Sequence, residues 1–562
     1  MTSAAATLGA PARRAGLRLG LGPALAMACA LVCAFVGYPL LSSLGVFQLD
    51  EVVKVFRASN SEPMVNSLLL AAFTIVPSTI IGVLLAWLCA RTNLPGRSLI
   101  SGLVSISFVI PVLLTSVAYI FLFGRNSGLV NRVFADVLGG PLYNVYSFSG
   151  VVLLSVLHTY PLVFFTTLGG LSKMNPELEE AGQVAGLSPA GVFLKITVRT
   201  IMPSIMAGVT FVVAESLTVL AAPLLLGAPI QLRFMTTELF GTIVVESNLA
   251  AAIALSIPLV ALTLAAVALQ ARLMGGAGSA RYVVVGGKGA RSETVQLKRW
   301  KWPLTLFAWT PVFMSLVLPV ATLLAAAFMD RWWKGLRLSN FSLRNFQFLA
   351  GDSSTLLAIG NSLLLAFGVA VAMAITGALL AILVAGEQTP LKRAIRGLAA
   401  IPLGLPHVVA AVLILLAWYG APFRLGGSIW ILAFGYVFVM IPYALRTCDA
   451  ARGQIDSSLG EAASIAGMGN VQTWRYVMLP LMKSGIVITF VIVFLFTIKE
   501  FSLTALVYGA DTITLPVLVY TLLEGGSYER TAAASMLLLL LTVLGLVLAS
   551  KVFRVSMNNL KV

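Results

Sequence analysis

Charge is what this chain has least of. Asp, Glu, Lys and Arg make up only 10% of its residues, against roughly 25% in a soluble domain. With 59% hydrophobic residues and a mean hydropathy of +0.97, that scarcity excludes a water-soluble globular fold and defines an integral membrane protein. Acids are scarcer than bases, 21 against 37, leaving a net charge of +16. A basic balance can indicate nucleic acid, but here the basic residues are spread between apolar segments. That is the pattern of the positive-inside rule, with a lipid bilayer as partner and no nucleic acid. Cysteine is limited to Cys29, Cys33, Cys89 and Cys448, all within or beside apolar segments, with no disulfide framework and no Cys-x-x-Cys pair. Cys29 and Cys33 share a helix face by spacing, where ordinary packing is the plain reading and a metal role the alternative. No nucleophile, base and orienting residue come together, which argues against a membrane enzyme. Nucleotide motifs are missing too. Gly286-Gly287-Lys288-Gly289 lacks the six-residue spacing and the following hydroxyl of a phosphate loop.

Long apolar runs are abundant. Arg13, Arg14 and Arg18 before an apolar stretch imitate a signal peptide. The run, however, stays uncharged from Leu19 to Leu49, and about 20 residues suffice to cross a bilayer. A retained first span with a cytoplasmic N-terminus is expected. Apolar windows follow near 67–90, 99–123, 148–171, 201–225 and 248–271, then near 303–328, 361–385, 397–418, 427–446, 484–508 and 531–550. Threading twelve spans puts Arg91, Arg97, Lys392, Arg393, Arg396, Lys551 and Arg554 inside, with both termini cytoplasmic.

The chain repeats itself. Asn66-Ser67-Leu68-Leu69-Leu70-Ala71 recurs as Asn361-Ser362-Leu363-Leu364-Leu365-Ala366. Two polar loops also match. Glu180-Ala181-Gly182 with Gly186 corresponds to Glu461-Ala462-Ala463 with Gly467, an offset of 281 residues (461 − 180). The expected architecture is all-α and polytopic, with about twelve spans in two parallel six-helix repeats. The halves are residues 1–274 and 302–562. The linker, 275–301, carries β-like runs at Tyr282–Gly289 and Thr294–Leu297 and is expected to form a small cytoplasmic hairpin. Even span numbers place both loops, after spans four and ten, on the cytoplasmic side.

Each loop reads as a short helix stopped by glycine. Ser458 and Glu461 fit a capping box in the second. In the first, Asn175 is a candidate cap and Pro176 suits the opening turn. Leu459, Ala462, Ala463 and Ala466 give a small apolar face, suited to docking in a groove on another protein. An amphipathic loop lying on lipid is the alternative.

These loops resemble the EAA signature of permeases of type I ABC importers: E-A-A-x-x-x-G, nine residues, then I-x-L-P. Glu461, Ala462, Ala463, Gly467, Val477, Leu479 and Pro480 fit it. The first loop departs, with Gly182 for the second alanine and Val198-Arg199 where Leu-Pro is expected. The resemblance implies the type I ABC importer fold. It implies that Glu180, Ala181, Gly182, Gly186, Glu461, Ala462, Ala463 and Gly467 couple the permease to two ATP-binding cassette ATPase subunits, which use ATP and magnesium while this chain binds no cofactor. It also implies an extracytoplasmic binding protein, a bacterial inner-membrane location, and a first docking site that is weaker or differently angled. Within that class the fused two-half chain looks most like ferric-iron importers. Relatives handle 2-aminoethylphosphonate, polyamines or thiamine.

Only two windows contain acids: Glu215 in the fifth and Glu500, beside Lys499, in the eleventh. An ionisable group in a span is costly and faces a cavity or partner. The functional reading is a pair of oxygen-donor sites beside the pathway, with Ser216 and Ser502 adjacent, suited to a hard cation. A structural hydrogen bond, or pairing with Lys499, is the alternative. His158 and His407, the only histidines, lie in spans near prolines and read more readily as satisfied core residues than as ligands, so no resident metal is expected. The rival class is a secondary transporter, whose coupling would rest on acids such as Glu215 and which does not require matched cytoplasmic loops.

Overall fold

The computed structural model describes residues 22–57, 61–125, 127–275, 294–386 and 389–552. Among these, regular structure is helical apart from two isolated β-bridges. A chain crossing lipid must satisfy its backbone internally, and helices do so within one segment. The first half contains α1 (Leu25–Val46), α2 (Glu62–Arg91), α3 (Arg97–Val109), α4 (Val112–Phe123), α5 (Phe148–Lys173), α6 (Glu177–Val184), α7 (Met202–Thr218), α8 (Met235–Val244) and α9 (Leu249–Gly275). The second contains α10 (Lys298–Phe328), α11 (Ser353–Leu383), α12 (Pro390–Ala400), α13 (His407–Ile414), α14 (Ile429–Gly453), α15 (Ser457–Ile465), α16 (Lys483–Ile498), α17 (Leu515–Glu524) and α18 (Tyr528–Val552). The principal helices correspond in order. Eight helices are long and apolar enough to cross a membrane, and up to twelve spans result if each of four bent pairs is one span.

The third and ninth spans are bent. The axis turns 97° between α3 and α4, and 116° between the helical stretches Pro390–Gly404 and His407–Tyr419. Pro111 and Pro406 stand at the N-caps of the helices that restart. Proline has no N–H to extend the preceding helix and disfavours helical backbone in the residue before it. The fifth and eleventh windows also end early as helices. α7 stops at Thr218 and α16 at Ile498, in both cases beside the intramembrane acids.

Close approach of small residues sets the packing inside each half. A Cβ on Gly82 would lie 2.6 Å from Val163 Cβ, and one on Gly377 would lie 2.6 Å from Ala444 O. These are the same contact in each repeat, seating α2 on α5 and α11 on α14. The first span of each half crosses to the other. Phe35 of α1 meets Phe434 at 5.1 Å, and Tyr38 meets Trp418 at 5.2 Å. In return, Tyr160 and Ser315 share a hydroxyl hydrogen bond of 3.0 Å, and Tyr119 Oη donates to Met314 O at 3.1 Å. Nothing in the periodicity of the sequence announced this exchange.

In the linker, the run Tyr282–Gly289 of the expected hairpin lies outside the described residues. Its second run, Thr294–Leu297, pairs with the end of α2. Val295 N donates to Arg91 O at 2.8 Å, and Asn93 N donates to Val295 O at 3.2 Å.

Candidate coupling loops and intramembrane charge centre

The two polar loops fold alike. Asn175 Oδ1 accepts from Glu177 N at 3.1 Å, and Asp456 Oδ1 accepts from Ser458 N at 2.9 Å. These caps are 281 residues apart (456 − 175). The cap of α15 is therefore Asp456, and Ser458 lies inside the helix. A capping box at Ser458 is corrected accordingly: the carboxylate two residues upstream reaches the free amide first. The backbone and side-chain hydrogen bonds from Ser458 hold the Asp456 carboxyl below its ordinary range.

Both helices end in the same left-handed turn. Gly186 has φ +84° and Gly467 φ +77°. Leu187 N donates to Gly182 O, and Met468 N to Ala463 O, each at 3.0 Å. This is the Schellman arrangement, in which glycine supplies a conformation that side chains resist. The loops then re-enter the bundle at bends of 72° before α7 and 65° before α16. Arg199 occupies the place of Pro480 in the first loop, where Pro203 instead stands in the first turn of α7 and the angle is nearly the same.

The surface of the loops is apolar where it is most exposed. Glu180, Ala181, Glu461 and Ala462 are exposed, while Gly182 and Ala463 are buried. Val184 and Ile465, at equivalent positions, are 90% and 88% accessible. They project just before the glycine turn and stand out more than the alanines that drew attention in the sequence. The signal was their repetition one helical turn after Glu180-Ala181 and Glu461-Ala462.

Gly182 has a local cause. A Cβ there would lie 2.3 Å from Ile196 Cδ1. At the matching positions the second loop has Ala463 and Val477. One methyl group has moved from one partner to the other, so the departure from the signature is compensated in volume.

The intramembrane acids each meet a histidine. His158 Nε2 lies 3.5 Å from Glu215 Oε1, and His407 Nδ1 lies 3.2 Å from Glu500 Oε1. His158 is on α5, whereas His407 opens α13, so the pairs are not copies of each other. Glu500 is 5% accessible in its side chain. Its carboxylate accepts from Leu503 N at 3.0 Å and from Thr504 N at 3.0 Å and Thr504 Oγ1 at 2.9 Å. That set caps the turn after α16. Glu215 is 43% accessible in its side chain, which makes it the more open of the two acids. Ser216 spends its hydroxyl on Val212 O at 2.6 Å, and Ser502 is half-buried. Among the described residues, no three His, Cys, Asp or Glu side chains gather as a metal site.

The repeated Asn-Ser pair fixes the segments that follow the acids. Asn66 Nδ2 donates to Arg233 O at 2.9 Å, and Ser67 Oγ accepts from Met235 N at 3.0 Å. Asn361 Nδ2 donates to Ile513 O at 3.0 Å, and Ser362 Oγ accepts from Leu515 N at 2.8 Å. Against these anchors, offset by 280 residues (515 − 235), α7 and α16 end at equivalent points. Glu215 then lies in the last turn of its helix and Glu500 two residues beyond the end of its own.

A helical membrane protein of two repeats, with matched loops at equivalent bends and charged groups between the halves, defines a transport subunit. The family model for the inner membrane component of binding-protein-dependent transport systems matches residues 78–275 and 377–558. The chain belongs to this family: it is a permease of the ABC importer class, bacterial, multi-pass and not itself an enzyme, and its family binds no cofactor because the ATPase is a separate chain. It is 25% identical over 496 residues to a putative ferric transport system permease of Haemophilus influenzae, covering 85% of this chain and 76% of that one. It is 24% identical to a ferric transport system permease of Actinobacillus pleuropneumoniae, covering 84% and 68%. A spermidine/putrescine transport permease of Haemophilus influenzae matches 43% of this chain and 93% of its own length at 26% identity.

Proposed function

We propose that this chain moves ferric iron, delivered by an extracytoplasmic binding protein, into the cytoplasm. The observation that carries the reading is similarity running through both halves to permeases named for ferric transport. The half-open carboxylate of Glu215 between the halves supports a cationic cargo. Residues 1–274 and 302–562 serve as the two permease halves, a reading supported by two separate matched family segments, 78–275 and 377–558. Each loop, around Glu180–Gly186 and Glu461–Gly467, docks one of two ATPase subunits, with Val184 and Ile465 as its apolar contacts. The basic residues beside the loops support a cytoplasmic position for them and for both termini, in the bacterial inner membrane.

Polyamine import is the second reading. The ammonium of Lys499 already lies 4.9 Å and 5.2 Å from two phenylalanine rings in the interior, so this environment suits an amine. Purification with the cognate ATPase and binding protein, followed by ATP-driven uptake of labelled ferric iron and spermidine into proteoliposomes, separates the readings. Uptake of either cargo by the chain alone, driven by an ion gradient, would instead support the secondary-transporter class.

A further inference from the structure

Lys499 is held by the opposite half of the molecule. It caps the end of α16, one residue before Glu500. Its Nζ donates to Phe108 O at 3.2 Å and lies 4.9 Å from the Phe108 ring and 5.2 Å from the Phe496 ring. Phe108 belongs to α3, just before the bend at Ile110–Pro111. The contact therefore joins the two halves where each has a helix break. A cation over aromatic faces is attracted by their quadrupoles, and an ammonium inside a membrane bundle needs such partners. Phe108 also stacks on His158 with ring centroids 6.2 Å apart, and His158 in turn faces Glu215. Glu215 lies within electrostatic reach of both His407 and Lys499. The ionisable groups gathered here include Glu215 and His158 from the first half, and His407, Tyr436, Tyr443, Lys499 and Glu500 from the second.

We infer that Lys499 is a tethered cation that closes the passage between the halves and gives way to a cationic cargo. Its hold on Phe108 latches the halves together in the conformation described. Its charge balances Glu215, the more accessible of the two acids, until the halves separate. A positive cargo cannot occupy the neighbourhood of Glu215 while the ammonium stays, so passage and release of the latch are the same event. The device occurs once, because the anchor offset puts Val219 at the equivalent place in the first half. This inference rests on the cargo being a cation, whether ferric ion or amine.

The test uses the permease assembled with its ATPase subunits in proteoliposomes. Passive entry of methylammonium and of iodide is measured without ATP or binding protein, and ATP-driven ferric uptake is measured separately. Lys499→Met is expected to raise methylammonium entry about fivefold, the ratio set by an ordinary cation–π contact, with iodide entry unchanged. Phe108→Ala should leak similarly, Lys499→Arg should stay as tight as wild type, and adding Glu215→Gln to Lys499→Met should return cation entry toward wild type. Co-elution of every variant with the ATPase establishes assembly. Wild-type tightness in both Lys499→Met and Phe108→Ala would overturn the latch, as would equal gains for iodide and methylammonium. Those failures leave ferric uptake by the wild type untouched. Absence of that uptake, with the leak pattern as expected, would sink the iron reading alone.

Discussion

In the first half, Glu179 is buried with Arg91 Nε at 2.8 Å, and Thr197 Oγ1 donates to its carboxylate at 2.5 Å. At the corresponding places in the second half stand Gly460 and Met478, where a Cβ on the glycine would meet Met478 Cε at 3.4 Å. The backbones of the two loops share cap position, glycine turn and bends of 72° and 65°. What holds them against the bundle differs in kind: an ion pair anchored to the end of α2 in one, a thioether over glycine in the other. The end of α2 that anchors the first loop is itself held by the linker, since Leu297 N donates to Asn93 Oδ1 at 3.0 Å. A repeated fold can therefore keep one geometry on two chemistries, with the first loop tied to the end of α2 by polar bonds and the second carrying an apolar contact at the corresponding places.

The comparison breaks most readily at Arg91. Arg91→Met strands a buried carboxylate, and losing one partner of a buried pair costs about 3–5 kcal/mol. Thermal unfolding in detergent should fall sharply, and capture of the ATPase by the first loop should fail. The triple variant Arg91→Met/Glu179→Gly/Thr197→Met removes the stranded carboxylate and gives the first loop the Gly460 and Met478 of the second, and it should recover most of the loss. No recovery would mean that the first loop depends on charge for more than seating.

Next come the acids. Glu500→Gln weakens a set of charged hydrogen bonds worth about 1.5–3 kcal/mol each, so it should lower thermal stability together with transport. Glu215→Gln leaves no capped turn behind. It should lower transport while leaving melting and ATPase assembly as in wild type. Equal stability losses from both substitutions would erase the distinction between a structural acid and one facing the passage.

The glycine turns should give a smaller and more even effect. Left-handed backbone costs a non-glycine residue about 1–2 kcal/mol, and both positions are otherwise open to a side chain. Gly467→Leu and Gly186→Leu should therefore uncouple ATP hydrolysis from transport to similar degrees. A much milder result at Gly186 would mean that the first loop contributes less to coupling than its geometry supports.

The smallest effect should appear in the volume exchange. Gly182→Ala crowds Ile196 and Ile196→Val leaves a gap, whereas the double variant reproduces Ala463 with Val477. A double-mutant cycle on melting should show a favourable coupling of about 1 kcal/mol. Strict additivity would remove the case for compensation.

Much of the molecule was legible in its residues. Uncharged windows mark the helices because lipid tolerates few charges and no unpaired backbone, and the Glu-to-Gly spacing marks the paired loops because a glycine turn must follow a short helix at a fixed distance. The repeated Asn66-Ser67 and Asn361-Ser362 were visible as a pattern, but their partners, some 150 to 170 residues away, were not. Tertiary structure alone decided which half each first span joins, which acid is capped and which is left accessible, and that the two histidines meet the two acids. Lys499 shows the reason. Its neighbour in sequence is Glu500, yet its ammonium goes to Phe108, 391 residues away. Hydropathy and spacing act along the chain, whereas the partner of a buried charge is fixed by which helices the packing brings face to face.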